Sequence, residues 1–233
     1  MASSSQRNLR SWKWTTLLLG TLWVSFGCGP ASLVYFLVPS DDRIPPKCKL
    51  AAGKEVTVCI VTNFATLETR PETLRGDDEL AELFAQQLRK RCQENKEKVK
   101  VVPPAKVRDY KRQSDFATRT PHDIGKHFGA DYVIMLEINN LSIYEKGSNH
   151  SLFRGHTELN IQVVDVTKPT GEGTIFTEPY RREFPTLGPR DASEMSPTQF
   201  RNLFLNAVAS DLCQMFTPYP KREEVREVAL RQA

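Results

Sequence analysis

TPHDIGKHFGADYVIMLEI, residues 120–138, is the stretch on which the fold turns. Thr120 stands where a helix needs an oxygen to cap its first free amides, Pro121 suits the first helical position, and Asp123 is placed like the acid of a capping box. Gly129 can take the left-handed conformation that ends a helix. Asp131–Ile138 then runs apolar and β-branched without clean alternation, as a strand covered on both faces does. A short helix that turns directly into a buried strand is the grammar of an α/β domain.

Working outward, Glu55–Phe64 (EVTVCIVTNF) reads as a second strand of the same buried kind. Residues 65–76 contain Pro71 and Gly76 and read as a loop. Asp77–Gln93 is predicted as a helix, with Leu80, Leu83, Phe84, Leu88 and Cys92 on one stripe. Its acids Asp77, Asp78 and Glu79 and its bases Arg89, Lys90 and Arg91 lie at the ends that the helix dipole favours. Lys98–Val102 is a short strand, and Pro103-Pro104 opens a helix to about Arg112. Downstream, His156–Thr167 alternates, with Thr157, Leu159, Ile161 and Val163 toward the core. The turn residues 168–171 and the strand Gly173–Phe184 complete a hairpin, and Thr186–Glu194 is read as a loop. Ser196 caps the last helix, whose expected stripe is Phe200, Leu203, Phe204, Ala207, Val208, Leu212 and Met215. The order β-α-β-α-α-β-β-β-α predicts one mixed-sheet α/β domain, flanked by helices, over residues 50–218, with a charged tail at 219–233.

Ahead of the domain, residues 1–14 are polar and basic, and 15–27 (TTLLLGTLWVSFG) are apolar, followed at once by Cys28. This is the layout of an export signal. Gly27-Cys28 resembles a bacterial lipobox, in which Cys28 would be lipidated after cleavage, although Ser25 departs from the usual Leu. An uncleaved transmembrane helix over 15–38 is the alternative, since that run contains no charge; a plain cleaved signal is the third. Each exports the domain, with Arg7, Arg10 and Lys13 on the cytoplasmic side. Residues 28–49, an apolar stretch (ASLVYFLVP, 31–39) and a polar linker, join signal to domain. Gly29 is not the usual inner-membrane retention residue, which points to the outer membrane.

Two local signatures carry a resemblance. One is Ile124–Ile134; the other is Val163-Val164-Asp165-Val166-Thr167 followed by Gly171-Glu172-Gly173. Together with the anchor they resemble exported α/β lipoproteins built like the amino-terminal domain of TolB, a layout shared by the curli secretion lipoprotein CsgG and by lipoprotein activators of penicillin-binding proteins. The resemblance covers roughly residues 55–215. It implies a non-catalytic assembly or interaction module of the bacterial envelope.

No Gly-rich phosphate loop, His-Glu-x-x-His or Gly-x-Ser-x-Gly occurs, and no cofactor is expected. His122 and His127 are five apart, which does not align them on one helical face. His150 and His156 are read as solvated, and Asp131 and Glu137 as polar residues flanking a strand. Cys59, Cys92 and Cys213 lie on apolar stripes and are read as buried thiols, with Cys48 exposed in the linker. The polar stretch Tyr144–Arg154 offers a partner loop, with Tyr144, Lys146, Asn149, His150 and Arg154 as its candidate contacts. Lys and Arg exceed Asp and Glu by only 32 to 28, and most of that excess is Arg7, Arg10 and Lys13. Such a balance gives no reason to expect nucleic acid as a partner. The expected partners are a membrane, through a lipid or a helix, and other envelope proteins. Competing readings are a membrane-anchored enzyme and a lipid- or small-solute-binding protein, the latter requiring a deep apolar pocket.

Overall fold

The computed structural model describes residues 43–51, 53–68 and 70–221. Residues 1–42, and with them Cys28 and both candidate membrane segments, lie outside the described residues, as does the tail from 222. Among the described residues no helix is long and apolar enough to cross a membrane.

The elements follow the predicted order. β1 (Arg43–Ile44) precedes β2 (Val56–Phe64), α1 (Gly76–Glu94), β3 (Val99–Val101), α2 (Pro104–Lys111), a 3-10 turn (Phe116–Thr118) and α3 (Pro121–Phe128). β4 (Tyr132–Tyr144), β5 (Leu152–Asp165), β6 (Thr174–Phe184), β7 (Arg190–Asp191), α4 (Pro197–Phe216) and β8 (Tyr219–Pro220) complete the chain. The main sheet runs β3-β2-β4-β5-β6, with β7 beside β5. β2 is parallel to both β3 and β4. β5 is antiparallel to both β4 and β6.

This division of the sheet explains how it is covered. In the parallel part, Val58 and Ile60 enter the core beneath α1 and α4, while Cys59 and Val61 face Val107, Tyr110 and Ile124 of α2 and α3. Both faces are buried, as crossover helices require, which is why the strand shows no alternation. In the antiparallel part only one face is covered. Thr157, Leu159, Ile161 and Val163 are at most 1% exposed, whereas Glu158, Asn160 and Gln162 are not buried.

Both predicted capping boxes form. Thr120 Oγ1 accepts the Asp123 amide at 3.2 Å, and Ser196 Oγ accepts that of Gln199 at 3.2 Å. Gly129 ends α3 at φ 60°. The two signature segments meet at one corner. The Asp131 carboxylate accepts the Thr57 amide at 2.7 Å, the Asp131 carbonyl accepts the Val166 amide at 2.9 Å, and Val166 lies against Gly125.

Five expectations are corrected. The folded unit begins at Arg43 rather than near Leu50, because β1 pairs with β8 and the Cys48 amide donates to the Met215 carbonyl at 2.9 Å. Those bonds hold the segment on the core, so Cys48 is 7% exposed rather than free in a linker. Tyr219 and Pro220 accordingly belong to the fold and not to the tail. The loop Thr186–Glu194 contains β7, which extends the edge at Leu152-Phe153. Finally, α4 buries Phe200, Phe204, Val208 and Leu212 of its expected stripe, but its covered face is wider and shifted away from Leu203. Leu205, Ala209, Cys213 and Phe216 are buried, while Leu203 is 49% exposed, because the helix packs in the groove between α1 and the sheet rather than on one flat neighbour.

Candidate functional site

The uncovered face of the antiparallel part carries a polar cleft. It has a volume of about 510 Å³. Its floor is built by period-two alternation on three strands: Asn140 and Ser142 on β4, Arg154 and His156 on β5, Arg181 and Glu183 on β6. Arg70, from the loop between β2 and α1, and Glu145 and Lys146, from the β4–β5 turn, form its walls.

The charges of the cleft are cross-linked. Arg154 reaches Glu183 at 2.8 Å and Glu145 at 3.3 Å, so one guanidinium ties the β4 end to β6. His156 lies between Glu158 (Nε2, 3.2 Å) and Glu183 (Nδ1, 3.7 Å), and Arg181 joins Glu158 at 3.3 Å. Arg70 is held by Glu68 through Nε at 3.0 Å and Nη2 at 2.8 Å. That fork holds the Glu68 carboxyl below its ordinary range and pushes the Arg70 guanidinium up. Half-exposed pairs of this kind add little to stability individually. Their effect is to fix the positions of donors and acceptors along the face.

Of the five candidate contacts, Tyr144, Lys146 and Arg154 line the cleft. Asn149 and His150 sit outside it, at the tip of the turn, both at positive φ (49° and 65°). His150 stacks on Tyr144 with ring centroids 4.3 Å apart, Tyr144 stacks on Phe153 at 5.2 Å, and Phe153 stacks on Phe200 at 4.7 Å. The turn is therefore tied to the core by a continuous row of rings. Asn140, Ser142, His156, Arg181 and Glu183 were missed, although Arg-x-His-x-Glu at 154–158 and Arg-x-Glu at 181–183 did carry a period-two signal. Arg70 gave none, since only the chain path brings it near.

Elsewhere, the crevice at the carboxyl ends of the parallel strands, where open α/β sheets usually bind ligands, is filled by the protein itself. Lys111 Nζ donates to the Thr62 carbonyl and to Asp77 at 2.6 Å, with Asp78 at 3.6 Å. His122 is buried and contacts the Thr170 hydroxyl at 3.0 Å, and His127 stacks on Tyr110 at 4.2 Å. Burial pushes the thiols of Cys48 up to about 11 and of Cys59 and Cys92 to about 12, and that of Cys213 also upward. Among the described residues no group of three or more His, Cys, Asp or Glu is placed to hold a metal ion.

No protein-family model and no curated protein matches the chain. Solved structures are similar at low identity. The PelC dodecamer from Paraburkholderia phytofirmans is 15% identical with a TM-score of 0.40, covering 72% of this chain and 93% of that one. Lipoprotein GNA1162 from Neisseria meningitidis is 13% identical with a TM-score of 0.39, covering 67% and 97%. Protein XCC0632 from Xanthomonas campestris is 10% identical with a TM-score of 0.41, covering 73% and 85%. Likeness at this level assigns no function. The resemblance to TolB and CsgG rests on the two sequence signatures alone.

Proposed function

We propose that the chain is a membrane-anchored envelope lipoprotein whose exported domain is a non-catalytic interaction module, docking envelope proteins on the open β4–β5–β6 face. The observation that carries this reading is that face itself: a sheet surface left without a helix, whose polar groups are fixed by ion pairs and bordered by a turn anchored to the core. A surface with donors and acceptors held in place loses little conformational entropy on binding. The reading places the domain on the periplasmic side, at the outer membrane. Its anchor rests on the sequence of residues 1–28. Intact mass spectrometry of the membrane-extracted protein is expected to give a chain starting at a diacylated Cys28; an unprocessed chain would replace the lipid by a transmembrane helix.

The docking face is tested by placing a photo-crosslinking amino acid at Arg181 in the full chain, in cells. A discrete crosslinked protein that disappears with Arg154→Glu is expected. Crosslinks indistinguishable from those of a probe at Glu82, on the exposed side of α1, would refute the face.

One observation favours a second reading, a hydrolase. Ser142, His156 and Glu183 stand opposite one another on β4, β5 and β6, and all three line the cleft. That is the residue set of a nucleophile, base and orienting acid. His156 Nε2, however, faces Glu158 rather than a hydroxyl. Labelling by a fluorophosphonate that is abolished in Ser142→Ala would establish this reading; no labelling is expected for the interaction module.

A further inference from the structure

The charge balance of the whole chain conceals a polarised end. α1 and α4 run side by side in the same direction, joined by Arg201 to Glu79, Gln87 to Asn206 and Asn95 to Pro218. Their carboxyl ends therefore share one end of the domain with the starts of β2 and β3 and with the β1–β8 pair. Lys49 and Lys54 project there from the turn before β2, Lys96 and Lys98 from the turn between α1 and β3, and Lys100 from β3 itself; all five are exposed. Exposed Arg43 lies on β1 itself, and exposed Lys221 follows β8. The acids of this end are Glu55, Glu94 and Glu97 on the same segments, and Asp131 and Asp165 at the adjoining start of β4 and end of β5; Glu55 is engaged by Lys100, Glu97 is drawn to Lys49, and Asp131 accepts the Thr57 amide. Among the described residues Lys54 and Lys96 take no acidic partner. At the opposite end Asp77, Asp78 and Glu79 are answered by Lys111 and Arg201.

The covalent chain gives this end a second property. The apolar stretch 31–39 stops only a few residues before Arg43, where the folded unit begins. From Cys28, the lipid site proposed above, fourteen residues (29–42) lead to Arg43, a connection of at most about 50 Å. If the anchor proposed above holds the chain in a bilayer, the lysine-rich end is the part of the domain covalently nearest to it.

We infer that this end, presented by the two turns and the β1–β8 pair, docks on the anionic surface of the bilayer that holds the anchor. Lysines within a Debye length of such a surface are drawn to it, and salt weakens the attraction. Docking would fix the domain with the β4–β5 turn and the polar cleft directed away from the membrane, since both lie toward the far ends of the strands. The inference rests on the anchored reading and is separable from it.

The test uses the full-length protein in vesicles, either of phosphatidylcholine alone or with phosphatidylglycerol, and a water-soluble amine-acylating reagent read out by peptide mass spectrometry. Labelling of Lys54, Lys96 and Lys98 is expected to slow about fivefold with phosphatidylglycerol and to recover in about 0.5 M salt. Lys106 and Lys146 are expected to react equally in both. The triple variant Lys54→Glu, Lys96→Glu, Lys98→Glu is expected to lose protection at Lys49 while still floating with the vesicles. Flotation with neutral vesicles together with lipid-independent labelling overturns the docking and leaves the anchor. Failure to float with either vesicle overturns the anchor and the docking with it. Protection by a double-stranded DNA fragment but not by phosphatidylglycerol would assign the end to nucleic acid and overturn the lipid surface.

Discussion

Gly125 shows how a single atom sets the distance between layers. A Cβ at this position would lie 2.8 Å from Val133 Cγ2 on β4 and closer still to Val166, just past the end of β5. α3 can sit on β4 and on the end of β5 only because the side chain is missing. Gly125→Ala is expected to lower stability by about 1–3 kcal/mol, the usual cost of overpacking a filled core, and denaturant unfolding will measure it. Gly155 does the same under α4, where an added Cβ would lie within 2.7 Å of the Phe204 ring. The thiols are a second test at this scale. With Cys48, Cys59, Cys92 and Cys213 buried and their ionisation suppressed, none is expected to react with Ellman's reagent near pH 8 until denaturant is added. Peptide mapping separates these four from Cys28. Fast labelling of Cys48 in the folded protein would show that the 43–49 segment is not held on the core.

At the scale of elements, the carboxyl end of α1 is well formed but carries the wrong residue for its shape. The Glu97 amide returns to the Cys92 carbonyl at 2.8 Å and the Lys96 amide to Gln93 at 3.1 Å, the paired bonds of a Schellman end. Lys96, exposed and at φ 57°, occupies the place where glycine is least strained. Lys96→Gly is expected to raise stability by about 0.5–1 kcal/mol, seen as a higher urea midpoint at unchanged slope. At the other end of α1, Lys111 joins α2 to Asp77, Asp78 and the carboxyl end of β2, with its side chain only 17% exposed. Lys111→Met keeps the aliphatic stem but leaves two half-buried carboxylates without their cation, and about 2 kcal/mol of stability should be lost. Adding Asp77→Asn should restore part of it. A double variant as unstable as the sum of the two single changes would mean that no ion pair couples these helices. The helix pattern itself was plain in the sequence, because stripes and caps are local. The wider, shifted covered face of α4 was not, because it depends on a groove formed by α1 and the sheet.

For the whole molecule, acid is the condition that reads the surface network. Hydrogen bonds from Thr120, Arg70 and Ser193 hold Asp123, Glu68 and Asp191 below their ordinary values, as Arg119 does for Asp115 and Lys100 for Glu55. A carboxyl whose folded value is depressed contributes stability above its unfolded value and loses that contribution as pH falls through the folded one. Glu97, pushed up by desolvation, works in the opposite sense but stands alone among the resolved carboxylates. The melting temperature is therefore expected to be flat between about pH 7 and 5 and to fall below about pH 4. A melting temperature that rose on acidification would contradict the hydrogen-bond pattern.

How much was legible followed the range of the forces involved. Capping at Thr120 and Ser196, the stop at Gly129, the buried strands and the order of elements were determined by the sequence alone, since each depends on residues within a few positions of one another. The partner stretch was half legible: Tyr144, Lys146 and Arg154 reach the cleft, but Asn149 and His150 turn away from it because a tight turn and a row of stacked rings fix their direction. Only the tertiary structure decided that Cys48 is buried, that β1 closes on β8, that Arg70 meets Arg181 and Glu183 across one cleft, and that evenly distributed charge gathers into a basic end. Those outcomes join residues far apart in the chain, and no periodicity encodes them; they follow from where the packing of helices on the sheet brings distant segments together.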